Sequence, residues 1–469
     1  MPHLTCLRPL PLVLALVASA LPAQVRGSLK PATLDDPRFA PLWAETTVLT
    51  APVGFRATPT STHLHDLLKD RCSAGDHGRL LVQAATDRAA KPLSPEKSAV
   101  VEFAVGDKTV PVLLYTRSKV WYACSAALMR GKVKGTTLDF LDANLDGDFF
   151  GADDFMSHGG SAFRPVDADK LLILSDCFGR YAVEADGREP RFTITPLPWP
   201  AWADDGQRRA AIYLAYTRQL GAVPPLLLDE ARCKACTLHA EYLYLNEYSF
   251  FTSTNDTHRE DPSRPGYTKE GAEAGLGGIY FAADPTSAVA SLLFTMLHRS
   301  SHLGSSGSFG IGVKVGSRPA ARGTPGYTVI WSQRLEVPAG GPPAVFPAPG
   351  ARGCATFSGR EAPEVEDDPK FYATQRGLAV SLHYGDLPVS DIKVALFAEG
   401  RRGRTPVAGR EFSHEKPIHS KLSPDNGRTA FFIADAMLPT STWYTACFEC
   451  ALQGTDERMH VEWSFETQK

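Results

Sequence analysis

The sequence predicts a multi-domain protein with a β-sandwich first block, a mixed helix-and-strand middle block and a closing β-sandwich. Three observations carry this. The chain has 469 residues, about three times a typical domain. Short β-branched and aromatic runs between turn residues dominate both ends, whereas the middle has long stretches free of Pro and Gly. Two Pro-rich stretches, 195–200 and 338–352, separate the blocks. With 43% hydrophobic and 22% charged residues, the chain has the composition of a globular protein with packed cores.

Residues 1–23 are expected to be a secretory signal peptide. Arg8 supplies the single positive charge, residues 10–20 are an 11-residue, mostly apolar run, and Ala18, Ala20 and Ala23 offer small-residue cleavage positions. A bilayer span needs about 18 or more apolar residues, so this run is too short to be an anchor. No other run is long enough to be a transmembrane segment. The expected location is therefore secreted, extracellular or periplasmic.

In 28–200 the strand signals are 100–105, 109–115, 171–175 and 191–195. The middle block, 205–335, predicts helices over 207–220, 229–246 and 286–299. Asp229 is placed as an N-cap, and the third helix is apolar enough to be buried. Strands follow over 307–315 and 327–333. The last block, 353–469, predicts strands at 378–384, 392–398, 429–434, 444–452 and 460–465, the spacing of an Ig-like β-sandwich.

Lys+Arg number 49 and Asp+Glu 52, a net charge of −3, which argues against nucleic acid as a partner. Nine cysteines become eight if Cys6 leaves with the signal. Cys233/Cys236 and Cys447/Cys450 are both C-x-x-C, but the first pair falls on a helix and the second on a strand. Residues three apart on a strand face opposite sides, so buried thiols or isolated disulfides are expected rather than a zinc finger.

The run Asp142-Ala-Asn144-Leu-Asp146-Gly147-Asp148 ending at Asp153 matches D-x-[DN]-x-[DN]-G with an acid at position 12. Hard oxygens from Asp142, Asn144, Asp146, Asp148 and Asp153 suit Ca2+, and Gly147 permits the sharp turn. Five carboxylates within 13 residues repel one another without a cation. The flank 136–141 reads as strand, so the loop is expected without the paired helices of a calcium sensor, in a structural role.

The middle block is similar to the CAP superfamily (the SCP domain of cysteine-rich secretory, antigen-5 and pathogenesis-related proteins) over roughly 205–316. The landmarks are Val223-Pro-Pro-Leu-Leu-Leu-Asp229, Cys236-Thr-Leu-His239-Ala240-Glu-Tyr242 and Thr257-His258-Arg-Glu-Asp-Pro-Ser263. Further along come Gly271-Ala-Glu273-Ala-Gly275, Leu297-His298-Arg299, and Leu303 followed by Gly310-Ile-Gly312-Val313. The resemblance, to multi-domain secreted bacterial members in particular, implies an α/β/α sandwich with a cleft lined by two His and two acids that can hold Zn2+. Carried across, His258 and His298 take the His positions and Glu273 or Glu270 the first acid. The second acid is missing, since Asp284 lies before the third helix rather than on it. His239 reads as a packed helix histidine and His302 as a surface residue.

These readings leave two function classes. The first is a non-catalytic extracellular or cell-surface module for binding or adhesion, its partner a protein, lipid or glycan. The second is a metal-dependent, peptidase-like hydrolase using His258, His298 and Glu273. The missing acid favours the first. No G-x-S-x-G, H-E-x-x-H or P-loop sequence offers another route to catalysis.

Overall fold

A computed structural model describes residues 24–469. Left out are 41–44, 48–63, 65–66, 69–70, 75–78, 95–96, 118–119, 185–189, 251–256, 281–282, 296–297, 300–301, 304–306, 317–325, 333–343, 359–375, 418–427, 455–457 and single positions 88, 106, 134, 168, 175 and 386. The expected signal segment, 1–23, lies outside the described residues. The molecule is mostly β-sheet, distributed over several separate sheets. No helix among the described residues is long and apolar enough to cross a membrane.

Up to residue 200 the chain forms four sheets rather than one sandwich. A five-stranded sheet runs in the order Arg164–Pro165, Phe155–His158, Thr136–Leu141, Ala127–Val133, Lys30–Thr33. Its apolar face meets a four-stranded sheet containing Phe178–Glu184 and Arg191–Leu197, burying Leu138, Phe140 and Met156 against Tyr181, Phe192 and Ile194. Alternation along Arg191–Leu197 is the reason: Phe192, Ile194 and Pro196 point inward while Arg191 and Thr195 stay exposed. The other two sheets, of four and three strands, share a core around Phe103, Val112, Leu114 and Trp121. The acidic loop joins Thr136–Leu141 to Phe155–His158, two antiparallel neighbours, so it is the tip of a hairpin in a buried sheet.

In the middle block, helices α1 (Asp205–Gln219), α2 (Glu230–Phe250), α3 (Lys269–Ala274) and α4 (Pro285–Phe294) surround a four-stranded sheet. Its order is Leu227–Leu228, Ser308–Val315, Gly326–Ser332, Gly278–Tyr280, with a parallel first pair and antiparallel others. Helix starts follow capping chemistry. Asp204 and Gln207 form a capping box on α1, and the Asp229 carboxylate accepts from Arg232 N at 2.8 Å on α2. The sequence Gly310-Ile311-Gly312 sets the packing on both faces. A Cβ at Gly312 would lie 2.1 Å from Thr237 N, and one at Gly310 2.4 Å from Arg232 C, so α2 rests directly on the strand backbone. Phe309 and Ile311 point the other way, into a core with Ala210, Leu214, Ala288, Val289 and Leu292 of α1 and α4.

The helix expected over 286–299 ends earlier, at Phe294. Thr295 turns extended (ψ 148°), and its hydroxyl donates to Leu292 O at 2.8 Å, which closes the last turn. His298 and Arg299 lie on a separate helical turn.

The closing block packs a four-stranded sheet (Ala344–Phe346, Ala379–His383, Thr429–Ala434, Gly409–Phe412) on a five-stranded one. Trp463, Phe465, Phe448 and Tyr444 fill the space between them with Leu378, Val380, Leu382 and Phe432. The stretch 338–352, read as a linker, contributes to this block: Ala344–Phe346 pairs with Ala379–His383, and Trp463 Nε1 donates to Pro347 O at 2.7 Å. The Pro-rich stretch at 195–200 is also less free than its composition suggests. Its first residues belong to strand Arg191–Leu197, and Trp199 packs on Phe178 with its Nε1 bonded to Asp176 O.

A seam joins the middle and closing blocks. The buried Arg299 guanidinium lies 4.3 Å from the Phe346 ring and donates to Ala379 O and Ser381 Oγ. His302, read as a surface residue, is fully buried here. Arg218 donates to its carbonyl, and Leu303 next to it enters the closing block's core.

Candidate functional site

The acidic loop is built from carboxylates accepting from backbone N–H groups two to five residues on. Asp142 Oδ2 accepts from Gly147 N (2.9 Å), Asp146 Oδ1 from Asp148 N (2.7 Å) and Asp148 Oδ1 from Phe150 N (3.0 Å). Leu145 and Gly147 take positive φ, 63° and 87°, to turn the chain so tightly. Asp142 is buried at 3% exposure, and its second oxygen, Oδ1, is buried with no hydrogen-bond partner.

Among the five acids, Asp153 is exposed, while Asp154, one residue later, is buried. Asp154 Oδ1 accepts from Ala143 N (3.0 Å) and Oδ2 from Gly151 N (2.8 Å), tying the loop's two ends together. Burial pushes the Asp154 carboxyl up to about 7, with the Asp142 and Asp146 charges adding to the rise. Burial likewise pushes Asp142 up to about 6, again with Asp146 contributing. The charges of Asp142 and Asp146 thus act on Asp154. The D-x-[DN]-x-[DN]-G count picked out Asp153 and passed over Asp154.

In the middle block, the imidazole of His298 lies near enough to His258 to act on its charge. His258 Nδ1 donates to Gly275 O at 2.8 Å, which leaves the neutral ring's lone pair on Nε2. Burial lowers its pKa, with the neighbouring imidazoles of His298 and His239 acting in the same direction. The Thr295 hydroxyl already donates to Leu292 O, so it accepts from His298 Nδ1 at 3.2 Å. Both rings are half-buried.

Glu270 and Glu273 are on α3 and exposed, and Asp284 caps α4 by accepting from Thr286 N and Ser287 N. The buried acid of this block is Glu260, which the sequence reading did not single out. Its side chain and that of His239 are fully buried, with His239 Nδ1 2.9 Å from Glu260 Oε1. His239 Nε2 donates to Thr257 O at 2.9 Å, Glu260 Oε2 accepts from Thr268 N, and Tyr242 stacks on the imidazole. Both His239 nitrogens thus face acceptors, Glu260 Oε1 and Thr257 O. This network fastens residues 257–268 to α2, and it makes His239 the packed helix histidine the sequence suggested.

The block's buried carboxylate, Glu260, is thus engaged by His239. Among the described residues, one group of three His, Cys, Asp or Glu side chains has ligand atoms all within 4.8 Å of one another: Cys447, His460 and Glu462. Neither the loop nor the cleft forms such a group. All eight described cysteines are free thiols, and seven are buried. Comparison with protein-family models, with curated proteins and with solved structures gives no match to this chain.

Proposed function

We propose that the chain is an exported, non-catalytic member of the CAP superfamily. In this reading an α/β/α middle domain binds an extracellular ligand, and β-sandwich domains, the last Ig-like, flank it. The observation that carries the reading is that, among the described residues, no carboxylate joins His258 and His298 in a group at metal-ligand distance. General acid–base or metal-assisted hydrolysis needs a carboxylate within reach of the reacting group. Here Glu270 and Glu273 are exposed, Asp284 caps a helix and Glu260 is bonded to His239. The ligand is a protein, lipid or glycan that uses the half-exposed imidazoles as polar contacts. Two glycines under α2 and the buried His239–Glu260 pair make the scaffold of the cleft rigid, which suits recognition.

In the same reading the acidic loop holds a structural Ca2+. The buried, unpartnered Asp142 Oδ1 supports it, because an ionised oxygen without a donor is costly to bury unless a cation lies against it. Asn at this position keeps an acceptor for Gly147 N and removes the charge. Asp142→Asn is therefore expected to melt no lower than wild type in chelator and to lose the stabilisation that calcium gives wild type, about 2.7 kcal/mol at a hundredfold excess over Kd. An equal calcium response in the variant overturns the cation assignment.

Elemental analysis of His258→Ala/His298→Ala tests the cleft. Its metal content is expected to equal wild type. Loss of one equivalent of zinc specific to this variant would overturn the binding-module reading and favour a hydrolase.

A further inference from the structure

The closing block's five-stranded sheet turns one face to its core and the other outward. On strand Trp443–Leu452 the residues Tyr444, Ala446, Phe448 and Cys450 are buried in the core, so Cys447 and Glu449 point outward. The neighbouring strand Arg458–Thr467 is antiparallel, with Cys447 opposite Glu462 and Glu449 opposite His460. Register alone therefore gathers a thiol, an imidazole and two carboxylates into a block of two adjacent cross-strand pairs. Cys447 Sγ lies 3.8 Å from the ring nitrogens of His460, and His460 Nε2 lies 3.7 Å from Glu462 Oε2. Glu462 is only 4% exposed.

We propose that Cys447 Sγ, His460 Nε2 and Glu462 Oε2 form a three-ligand site for a borderline divalent cation of the zinc class, with an open fourth position. This site is independent of both the acidic loop and the His258/His298 cleft.

The donor set and its spacing carry the assignment. One sulfur, one imidazole nitrogen and one carboxylate oxygen are zinc's preferred ligands. Zn–S near 2.3 Å and Zn–N or Zn–O near 2.0–2.1 Å put tetrahedral ligand atoms roughly 3.4–3.6 Å apart. The observed 3.8 and 3.7 Å separations need only a few tenths of an ångström of closure. Calcium prefers an all-oxygen shell, so a thiolate and an imidazole select against it.

The surroundings orient the ligands as a metal site requires. Glu449 Oε1 accepts from His460 Nδ1 at 3.2 Å, which fixes the tautomer that leaves Nε2 facing Glu462 and Cys447. Arg404 Nη2 lies 2.8 Å from Glu462 Oε1 and Arg404 Nε 2.8 Å from Glu399 Oε1. The guanidinium thus holds one oxygen of Glu462 while the other faces the histidine. Three protein ligands and an open position are the arrangement through which zinc binds a water or a ligand's donor atom.

Cys447 is the one described thiol that is not buried, so native thiol labelling of the full mature chain reads the site directly. One fast-reacting thiol per chain is expected. An equivalent of Zn2+ slows its labelling at least tenfold, and Ca2+ at the same concentration does not. Cobalt(II) is expected to give a thiolate-to-metal charge-transfer band and the intense visible bands of four-coordinate cobalt. Cys447→Ser and His460→Ala abolish both, whereas His258→Ala/His298→Ala retains them, so failure here is distinct from failure of the cleft reading. Labelling that zinc does not slow in wild type, with no charge-transfer band, overturns the proposal without relying on the folding of any variant.

Discussion

The acidic loop and the outer face of the closing sheet gather donor atoms by opposite routes. The loop is contiguous: Asp142 to Asp154 lie on one hairpin tip, and local backbone bonds to their carboxylates shape it. The Cys447 face takes its members from two strands, and only the pairing of Cys447 with Glu462 and Glu449 with His460 assembles it. Local chemistry makes a site of hard oxygens on a bent backbone. Cross-strand register makes a small mixed-donor site on a stiff one. The first, as the proposed calcium site, would adjust its local backbone bonds around an ion. The second is held near its final spacing by the sheet.

The sharpest way to break this comparison is at Asp154. Its two oxygens bond Ala143 N and Gly151 N, joining the loop's ends. Asp154→Ala leaves two donors without partners, at roughly 1–3 kcal/mol each. The expected loss is about 3 kcal/mol or more by denaturant unfolding in chelator, and larger in calcium, where the proposed cation's stabilisation goes as well. A loss under about 1 kcal/mol would show that the ends are held by something other than this carboxylate.

That the key acid is Asp154 shows where sequence reading stops. The strands, the helices and Asp229's cap were legible because each rests on periodicity or capping within a few residues. The acidic loop was legible for the same reason, down to its flanking strand Thr136–Leu141. Which of two adjacent acids turns inward depends on where the returning strand begins, a matter of register. His302 and Glu260 were misplaced or missed because their partners are distant in sequence: Arg218 on the carbonyl of the buried His302 in one case, α2's His239 in the other. The Cys447 cluster was the least legible. C-x-x-C drew attention to Cys450, which faces the core, and away from His460 and Glu462 on the next strand. Pattern counts see neighbours in sequence, and this site's neighbours are across a ladder.

A smaller effect is expected at Glu449, which orients His460 without supplying a ligand. Glu449→Gln keeps the shape and removes the charged acceptor for Nδ1. Zinc affinity, read from the concentration that protects Cys447, is expected to fall about 10–100-fold. Folding stability should stay within about 0.5 kcal/mol, since the side chain is 44% exposed. Unchanged affinity would mean that the sheet alone sets the imidazole, and would strengthen the contrast with the loop.

The smallest effect is expected at Asp153, the residue that position counting assigns to the cation. Its side chain is exposed, while Asp142 and Asp146, not Asp153, are the acids that raise the Asp154 carboxyl. Asp153→Asn is expected to change stability by less than about 0.5 kcal/mol and to keep the calcium-dependent rise in Tm. The matched variant Asp154→Asn should lose most of that rise, because an amide cannot accept from both Ala143 N and Gly151 N while facing a cation. If the two variants behave the other way round, the twelfth position closes the loop as the motif counts it. The inward turn of Asp154 would then belong to the cation-free loop alone, and loading it would require the hairpin tip to rotate by one residue.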